Sequence, residues 1–174
     1  MFKSGISIFV FVLTLQVFGA DALIFGHRLG QVQINKSASQ ASIEWLDLET
    51  AADRNKEEKK FFFIDIYTDW CGWCKKMDQS TFKDSAVVEY MNQHFYAVKM
   101  NAESKAPIAY KEVLYESKMY SGKAYNELAV NLLSGKMSFP SFVVLSKKEE
   151  KLGTIVGYQK PTELLLALKG FVEK

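Results

Sequence analysis

Two cysteines separated by two residues are the feature of this sequence with the clearest chemical potential. They are Cys71 and Cys74, in the segment DWCGWCKKM, and the chain of 174 residues contains no other cysteine. A Cys-x-x-Cys pair can be a redox-active dithiol, half of a zinc site, a haem attachment site or a structural disulfide. Haem attachment requires histidine directly after the second cysteine, and Lys75 occupies that position. The haem interpretation is therefore excluded.

The rest of the sequence weakens the zinc and structural interpretations. A structural zinc site takes four ligands, and the two histidines, His27 and His94, lie in unrelated segments. A disulfide between Cys71 and Cys74 closes so short a loop that it removes little entropy from the unfolded chain. The favoured interpretation is a redox-active dithiol, with the other two as alternatives. If a helix begins here, its N-terminus stabilises a thiolate at Cys71, and Cys74 can resolve the mixed disulfide.

The N-terminus has the pattern of a secretory signal peptide. Lys3 precedes an apolar run over residues 6–18, and small residues follow it. We predict a signal peptide over residues 1–22, cleaved after Ala20 or Ala22. An uncleaved anchor is the alternative, but the run is shorter than the roughly 20 residues that span a bilayer. The exported chain is predicted in the periplasm, with secretion or the ER lumen as alternatives.

The dithiol must be positioned by helices and strands, and their predicted order indicates a layered α/β domain over residues 43–174. An N-terminal arm over residues 23–42 precedes this domain. Apolar runs with turn signals between them predict strands at 61–67, 95–100, 141–145 and 152–156. Helical spacing and start signals predict helices at 73–82, 86–94, 125–133 and 161–172, and one capped by Ser42 with Trp45, Leu46 and Leu48 on its apolar side. Residues 104–123 have only a loose helical period.

Five features in register resemble the thioredoxin family. The sequence WCGWCK at residues 70–75 is similar to the family's WCxxCK active site. The other four match family positions in the same order along the chain, namely Asp65, Lys99, the Phe-Pro-Ser turn at 139–141 and Gly157. The similarity extends from about Trp45 to the C-terminus. It implies a thioredoxin-like fold, in which helices flank a central mixed sheet, with residues 104–123 as an insertion before a cis-proline turn.

The resemblance also implies roles for individual residues. Cys71 is expected to be the nucleophile and Cys74 the resolving thiol. Asp65 is expected to be buried, and because an apolar strand disfavours ionisation its pKa should be raised. It would then relay a proton to or from Cys74, with Lys99 tuning it. The bond before Pro140 is expected to be cis.

A substrate-binding rim beside the dithiol is a further implication of the resemblance. The residues expected to contact an extended peptide are Trp70, Gly72, Trp73, Phe139, Pro140 and Gly157, with Tyr158 beside them. For Trp70 a place in the core is the alternative. Two positions depart from the family pattern, because many thioredoxins have proline in place of Trp73 and a smaller residue in place of Phe139.

Together these features predict an exported thiol–disulfide oxidoreductase, and the Asp65–Lys99 pair favours a protein-disulfide reductase. A peptide-binding or chaperone-like module with little redox turnover is the alternative. The expected partners are protein thiols and disulfides and an electron donor in the membrane. A formal net charge of +2 gives no indication of nucleic acid. We expect a monomer with no metal and no cofactor other than the Cys71–Cys74 disulfide.

Overall fold

The computed structural model describes residues 42–173. The predicted signal peptide, residues 1–22, lies outside this range, and so does the predicted arm apart from Ser42. No helix within the described range is long and apolar enough to cross a membrane.

Nine strands and five helices make up the described part of the chain. The strands are β1 (Trp45–Leu46), β2 (Phe61–Tyr67), β3 (Phe95–Asn101), β4 (Ile108–Tyr110), β5 (Val113–Tyr115), β6 (Ser117–Tyr120), β7 (Lys123–Asn126), β8 (Ser141–Leu145) and β9 (Lys151–Val156). The helices are α1 (Leu48–Glu57), α2 (Gly72–Gln79), α3 (Ser85–His94), α4 (Glu127–Leu132) and α5 (Pro161–Val172), with a short 3-10 turn over Thr81–Lys83.

A five-stranded mixed sheet in the order β1-β3-β2-β8-β9 lies at the centre. β3 pairs in parallel with both β1 and β2, whereas β8 pairs antiparallel with β2 and β9. The predicted thioredoxin-like α/β fold is confirmed. The four strands predicted from apolar runs correspond to β2, β3, β8 and β9, within a residue at each end.

The prediction for the segment around Ser42 is wrong. Trp45 and Leu46 form the edge strand β1 instead of a helix, and α1 begins only after Asp47. The carboxylate of Asp47 accepts the backbone N–H of Thr50 at 2.7 Å. This side chain satisfies an N–H group that the first turn of a helix leaves free, and it therefore sets the start of the helix.

Two β-hairpins occupy the region in which the sequence predicts an insertion. β4 pairs with β5 and β6 with β7, so the hairpins run from residue 108 to 126 and extend past the predicted boundary of 123. The predicted helix at 125–133 starts late for this reason, since β7 continues to Asn126. Ser121 and Gly122 both have positive φ at the turn of the second hairpin, which suits the twist of a two-residue hairpin loop.

Helices cover both faces of the sheet. This explains why almost every residue of β2, with the sequence FFFIDIY, is apolar. Alternate residues of β2 enter two separate cores. Phe62, Ile64 and Ile66 pack against α1 and α4, whereas Phe63 packs against α2, α3 and α5. Phe63 stacks on Phe142 of β8 with ring centroids 5.2 Å apart. Asp65 lies two residues after Phe63 in β2 and is therefore on the same face of the sheet, the face that α2 covers.

We predict that Phe142→Ala lowers the free energy of unfolding of the oxidised protein by about 3–5 kcal/mol, because it leaves a cavity in a fully buried aromatic cluster. The control is Leu166→Ala on α5, where 74% of the side chain is exposed and the change should stay within about 0.5 kcal/mol. Urea denaturation of the two variants measures both values. Equal losses would contradict the assignment of Phe142 to the core.

Candidate active site

The cysteines lie at the point where β2 passes into α2. Tyr67 ends β2, and the carbonyl of Thr68 accepts the backbone N–H of Cys71 at 3.1 Å. Cys71 is the N-cap of α2, and its Sγ accepts the backbone N–H of Cys74 at 3.1 Å. The two cysteines are joined in a disulfide. The sequence predicts this position at a helix N-terminus.

The N-terminus of α2 gives the two sulfur atoms unequal surroundings. Cys71 Sγ accepts a helical N–H, and the positive end of the helix dipole acts on the same atom. In the reduced protein both effects favour a thiolate at Cys71. Cys74 lies inside the first turn of α2 and is buried. Cys71 is buried to the same extent, so the two sulfurs differ in their position on the helix: Cys71 is its N-cap and Cys74 lies one turn further along.

Asp65 and Lys99 form a buried ion pair on the face of the sheet that α2 covers. They are register partners on β2 and β3, and Lys99 Nζ lies 2.8 Å from Oδ2 of Asp65. Asp65 is only 1% exposed, and its Oδ1 has no hydrogen-bond partner. Burial raises the pKa of Asp65 to about 6, although Lys99 acts in the opposite direction. The expected contact and the expected direction of the pKa change are both present.

A second carboxylate, Asp78 on α2, shares the same ammonium group. Its Oδ1 lies 2.5 Å from Lys99 Nζ. Burial lowers the pKa of Lys99, but the two carboxylates outweigh burial and raise it overall. Asp78 is not among the site residues predicted from the sequence. A usable signal existed, because Asp78 follows Cys74 by four residues and so lies on the same side of α2.

The aromatic residues predicted as a substrate rim lie beside the dithiol. Trp70 and Trp73 are 57% and 62% exposed, so a core position for Trp70 is wrong. The Trp70 indole N–H donates to both carboxylate oxygens of Glu103, at 2.9 and 3.0 Å. Phe139 packs edge-on against Trp70, with ring centroids 5.9 Å apart. Tyr158 lies against Trp73 at 5.4 Å.

The second hairpin contacts the same rim, which the sequence did not predict. The ammonium of Lys123 on β7 lies 4.8 Å from the ring centroid of Trp70. Tyr125, also on β7, packs on Phe139 at 6.1 Å. This part of the predicted insertion is therefore a neighbour of the dithiol.

The turn before β8 has the expected backbone. The peptide bond between Phe139 and Pro140 is cis. The Pro140 carbonyl accepts the backbone N–H of Gly157 at 2.8 Å, which ties this turn to the end of β9. Gly157 has φ +84°, a conformation that favours glycine. At Gly72, between the cysteines, a Cβ would have no neighbour within 4 Å.

Among residues 42–173, no group of three or more His, Cys, Asp or Glu side chains is arranged to hold a metal ion. Both cysteines of the chain are committed to the disulfide with each other.

A thioredoxin fold with a disulfide at the N-terminus of α2 defines the class of protein. The chain belongs to the Thioredox_DsbH family, whose model, described as a protein of unknown function (DUF255), matches residues 32–159. Membership of the thioredoxin superfamily is thereby confirmed.

Solved structures with the same fold include known and proposed disulfide enzymes. A DsbH oxidoreductase is 16% identical with a TM-score of 0.55, covering 82% of this chain and 92% of its own. A thioredoxin from Thermus thermophilus is 15% identical with a TM-score of 0.56, covering 75% and 88%. A proposed disulphide isomerase from Bacteroides thetaiotaomicron is 28% identical with a TM-score of 0.54, covering 78% and 98%.

A curated relative is much longer than this chain. An uncharacterized protein of Caenorhabditis elegans is 25% identical over 87 residues, which are 48% of this chain and 12% of the relative. The chain thus spans about an eighth of that protein. The family, the fold and the Cys71–Cys74 disulfide together support thiol–disulfide exchange. The roles of the individual site residues stay predictions.

We predict that the oxidised protein loses stability between about pH 4 and pH 7 through Asp65. Its pKa rises on folding from 3.8 to about 6, so the native state binds more protons than the unfolded state in this window. The contribution is complete below pH 3.8, is lost as the pH rises through about 6, and amounts to about 3 kcal/mol. Urea denaturation across this range should show Asp65→Asn to be nearly free of this loss. An equal slope in both proteins would contradict the assignment.

We predict that Gly157→Ala destabilises the protein by about 1–2 kcal/mol, because an L-residue at φ +84° is strained. Gly170→Ala on α5 is the control, and there alanine should stabilise by up to about 1 kcal/mol. Neither position has an atom within 4 Å of the added Cβ, so steric crowding contributes to neither value. Denaturation midpoints with unchanged m-values measure both. A shift of the same sign in both variants would show that the left-handed backbone at Gly157 is unimportant.

Proposed function

We propose that this chain is an exported thiol–disulfide oxidoreductase that reduces disulfides in proteins. The observation that carries the proposal is the disulfide at the N-terminus of α2, in which Cys71 is the N-cap and its Sγ accepts the backbone N–H of Cys74. The buried carboxylate of Asp65, on the face that α2 covers, provides a group that can exchange a proton near neutral pH.

The exchange takes place in two steps that conserve electrons and protons. The Cys71 thiolate attacks one sulfur of the substrate disulfide, a mixed disulfide forms, and the other substrate sulfur leaves as a thiolate. Asp65 then takes the proton of Cys74, and the Cys74 thiolate attacks Cys71 Sγ. The second substrate sulfur leaves and takes up a proton, which Asp65 can return. Two electrons have passed from the dithiol to the substrate, and the Cys71–Cys74 disulfide remains.

The direction of transfer rests on the charges near the dithiol. Strong oxidants of this fold are oxidising because their reduced form is stabilised. Here Asp65 on β2 and Asp78 on α2, the helix that carries the cysteines, share the single ammonium group of Lys99. When both carboxylates are ionised, their net negative charge disfavours the Cys71 thiolate of the reduced form and hence favours the disulfide form, which makes the dithiol a reductant. An electron donor, proposed in the membrane, would restore the dithiol.

The substrate class follows from the rim. Trp70 and Trp73 expose large apolar surfaces on either side of Cys71, and Phe139 and Tyr158 back them. Aromatic rings with polar edges suit contacts with an extended peptide. We therefore propose that the substrates are disulfides in protein segments that can adopt an extended conformation. We also propose that the enzyme is a monomer. Periplasmic location is part of the proposal and rests on the pattern of residues 1–22.

A peptide-binding or chaperone-like role is the second candidate. Met119 and Leu114 on the two hairpins are strongly exposed, which is unusual for large apolar side chains and suits contact with unfolded chains. Such a role would not require the cysteines.

We predict that the reduced protein reduces insulin with dithiothreitol as donor, and that Cys71→Ser abolishes turnover because no nucleophile remains. Cys74→Ser should instead accumulate mixed disulfides, because the trapped intermediate has no resolving thiol. The double variant Cys71→Ser/Cys74→Ser is the matched control and should trap nothing. Full activity of Cys71→Ser would overturn the proposal. Suppression of aggregation by the double variant, without turnover in the wild type, would favour the chaperone-like role.

The direction of transfer is decided by the reduction potential of the Cys71–Cys74 pair. A reductase should equilibrate near the value of thioredoxin, about −270 mV, in glutathione buffers. A value near that of DsbA, about −120 mV, would mean that the enzyme introduces disulfides instead.

A further inference from the structure

We propose that Asp78 is a positioning residue for thiol–disulfide exchange: it shares the Lys99 ammonium with Asp65 and thereby keeps the buried carboxylate able to hold a proton near neutral pH. The inference rests on the proposed function, because it concerns the proton transfer between Asp65 and Cys74. In this role Asp78 acts through Lys99 and does not itself react.

The geometry places one cation between two anions. Lys99 Nζ lies 2.8 Å from Asp65 Oδ2 and 2.5 Å from Asp78 Oδ1. An ammonium group has three N–H donors, so it can bond both carboxylates at once. With both aspartates ionised, the three side chains carry one net negative charge. This excess favours the retention of one proton by the cluster.

Burial decides which carboxylate takes that proton. The Asp65 side chain is 2% exposed, whereas that of Asp78 is 46% exposed. Water solvates an ionised Asp78, but little solvent reaches Asp65, so the charged form of Asp65 is the less stable of the two. The exposed carboxylate therefore competes for Lys99 while the buried one holds the proton.

The surroundings restrict Lys99 to this shared position. Its ammonium lies 4.8 Å from the Trp45 ring centroid, 5.0 Å from that of Tyr67 and 5.5 Å from that of Phe82. All three rings are close enough to attract the cation. The ammonium therefore stays between the carboxylates, and loss of one carboxylate leaves it with the other.

Other ionisable side chains lie beside Asp65 on the elements packed against it. Burial and Asp69, which lies in the turn after β2, raise the pKa of Tyr67 on β2, so this phenol is uncharged at neutral pH. Cys74 on α2 does not titrate in the oxidised protein because it is in the disulfide.

Competition for Lys99 predicts opposite effects of its two neighbours. In Asp78→Asn the ammonium pairs with Asp65 alone and one negative charge is gone, so the carboxylate of Asp65 ionises at lower pH. In Lys99→Met the stabilising cation is gone, so Asp65 ionises at higher pH. If Asp78 only supported helix α2, its loss would reduce stability and leave the titration of Asp65 in place.

The test is the titration of Asp65 in the oxidised full-length protein, followed by carboxyl ¹³C NMR. Asp65→Asn identifies the resonance. We expect the midpoint to fall by at least about 0.5 pH unit in Asp78→Asn and to rise by a similar amount in Lys99→Met. Asp78→Glu should restore a value near the wild type. Asp53→Asn is the matched control, because Asp53 on α1 is an exposed carboxylate paired with Lys56 at 2.7 Å, and no shift is expected.

The outcomes separate this inference from the proposed function. An unchanged or raised midpoint in Asp78→Asn overturns it, and so do shifts of the same sign in Asp78→Asn and Lys99→Met. If Asp78→Asn fails to fold, Asp78→Ser at the same half-exposed position is measured by the same criterion. The titration requires no catalysis, so inactive wild-type protein with the expected shifts would refute the reductase and leave the sharing of Lys99 intact. In an active enzyme the acid limb of insulin reduction should move with the midpoint.

Discussion

The burial of Asp65 in the middle of the central sheet is the constraint on which the arrangement of the site depends. An ionised carboxylate in that position is unstable unless a cation lies beside it, and β3 supplies Lys99 as its register partner. The pair in turn needs a covering element, and α2 provides it together with both cysteines. The sheet, the ion pair and the dithiol are therefore one unit, in which a change to any part alters the electrostatics of the others.

In the Asp65–Lys99 pair, the lysine does not simply neutralise the aspartate, because it also pairs with a second carboxylate. Asp78 on the covering helix pairs with the same ammonium group. Burial raises the pKa of Asp65 to about 6, Lys99 acts in the opposite direction, and the charge of Asp78 adds to the rise. A buried group that titrates near neutral pH reduces the stability of the native state at pH 7. Buried groups with strongly perturbed pKa values are common in catalytic sites.

The surface around the dithiol combines two independent parts of the chain. The turn at Phe139–Pro140 and the end of β9 are tied together by the hydrogen bond from Gly157, and the second hairpin reaches the same rim through Lys123 and Tyr125. The rim is thus formed by the turn before β8 and the end of β9 on one side, and by the second hairpin on the other.

Much of the fold was predictable because the responsible interactions are local or periodic. The continuous apolar run at 61–67 indicates a strand buried on both faces, and Pro161 followed by Glu163 marks the start of α5, where Glu163 accepts the N–H of Lys160. The helix prediction for the segment around Ser42 was wrong because residues such as Trp45 and Leu46 occur in both helices and strands. Parallel pairing of β1 with β3, in which Trp45 lies opposite Ala97, decided between them.

By itself the sequence determined the reactive pair, its place at a helix N-terminus and the resemblance that identified Asp65 and Lys99, because these depend on residue type and short spacing. The tertiary structure decided the sharing of Lys99 with Asp78, the exposure of Trp70 and the approach of the second hairpin to the rim. Each of these joins side chains from separate elements. Their energies depend on burial and on distances between atoms, which exist only once the sheet and its helices have packed.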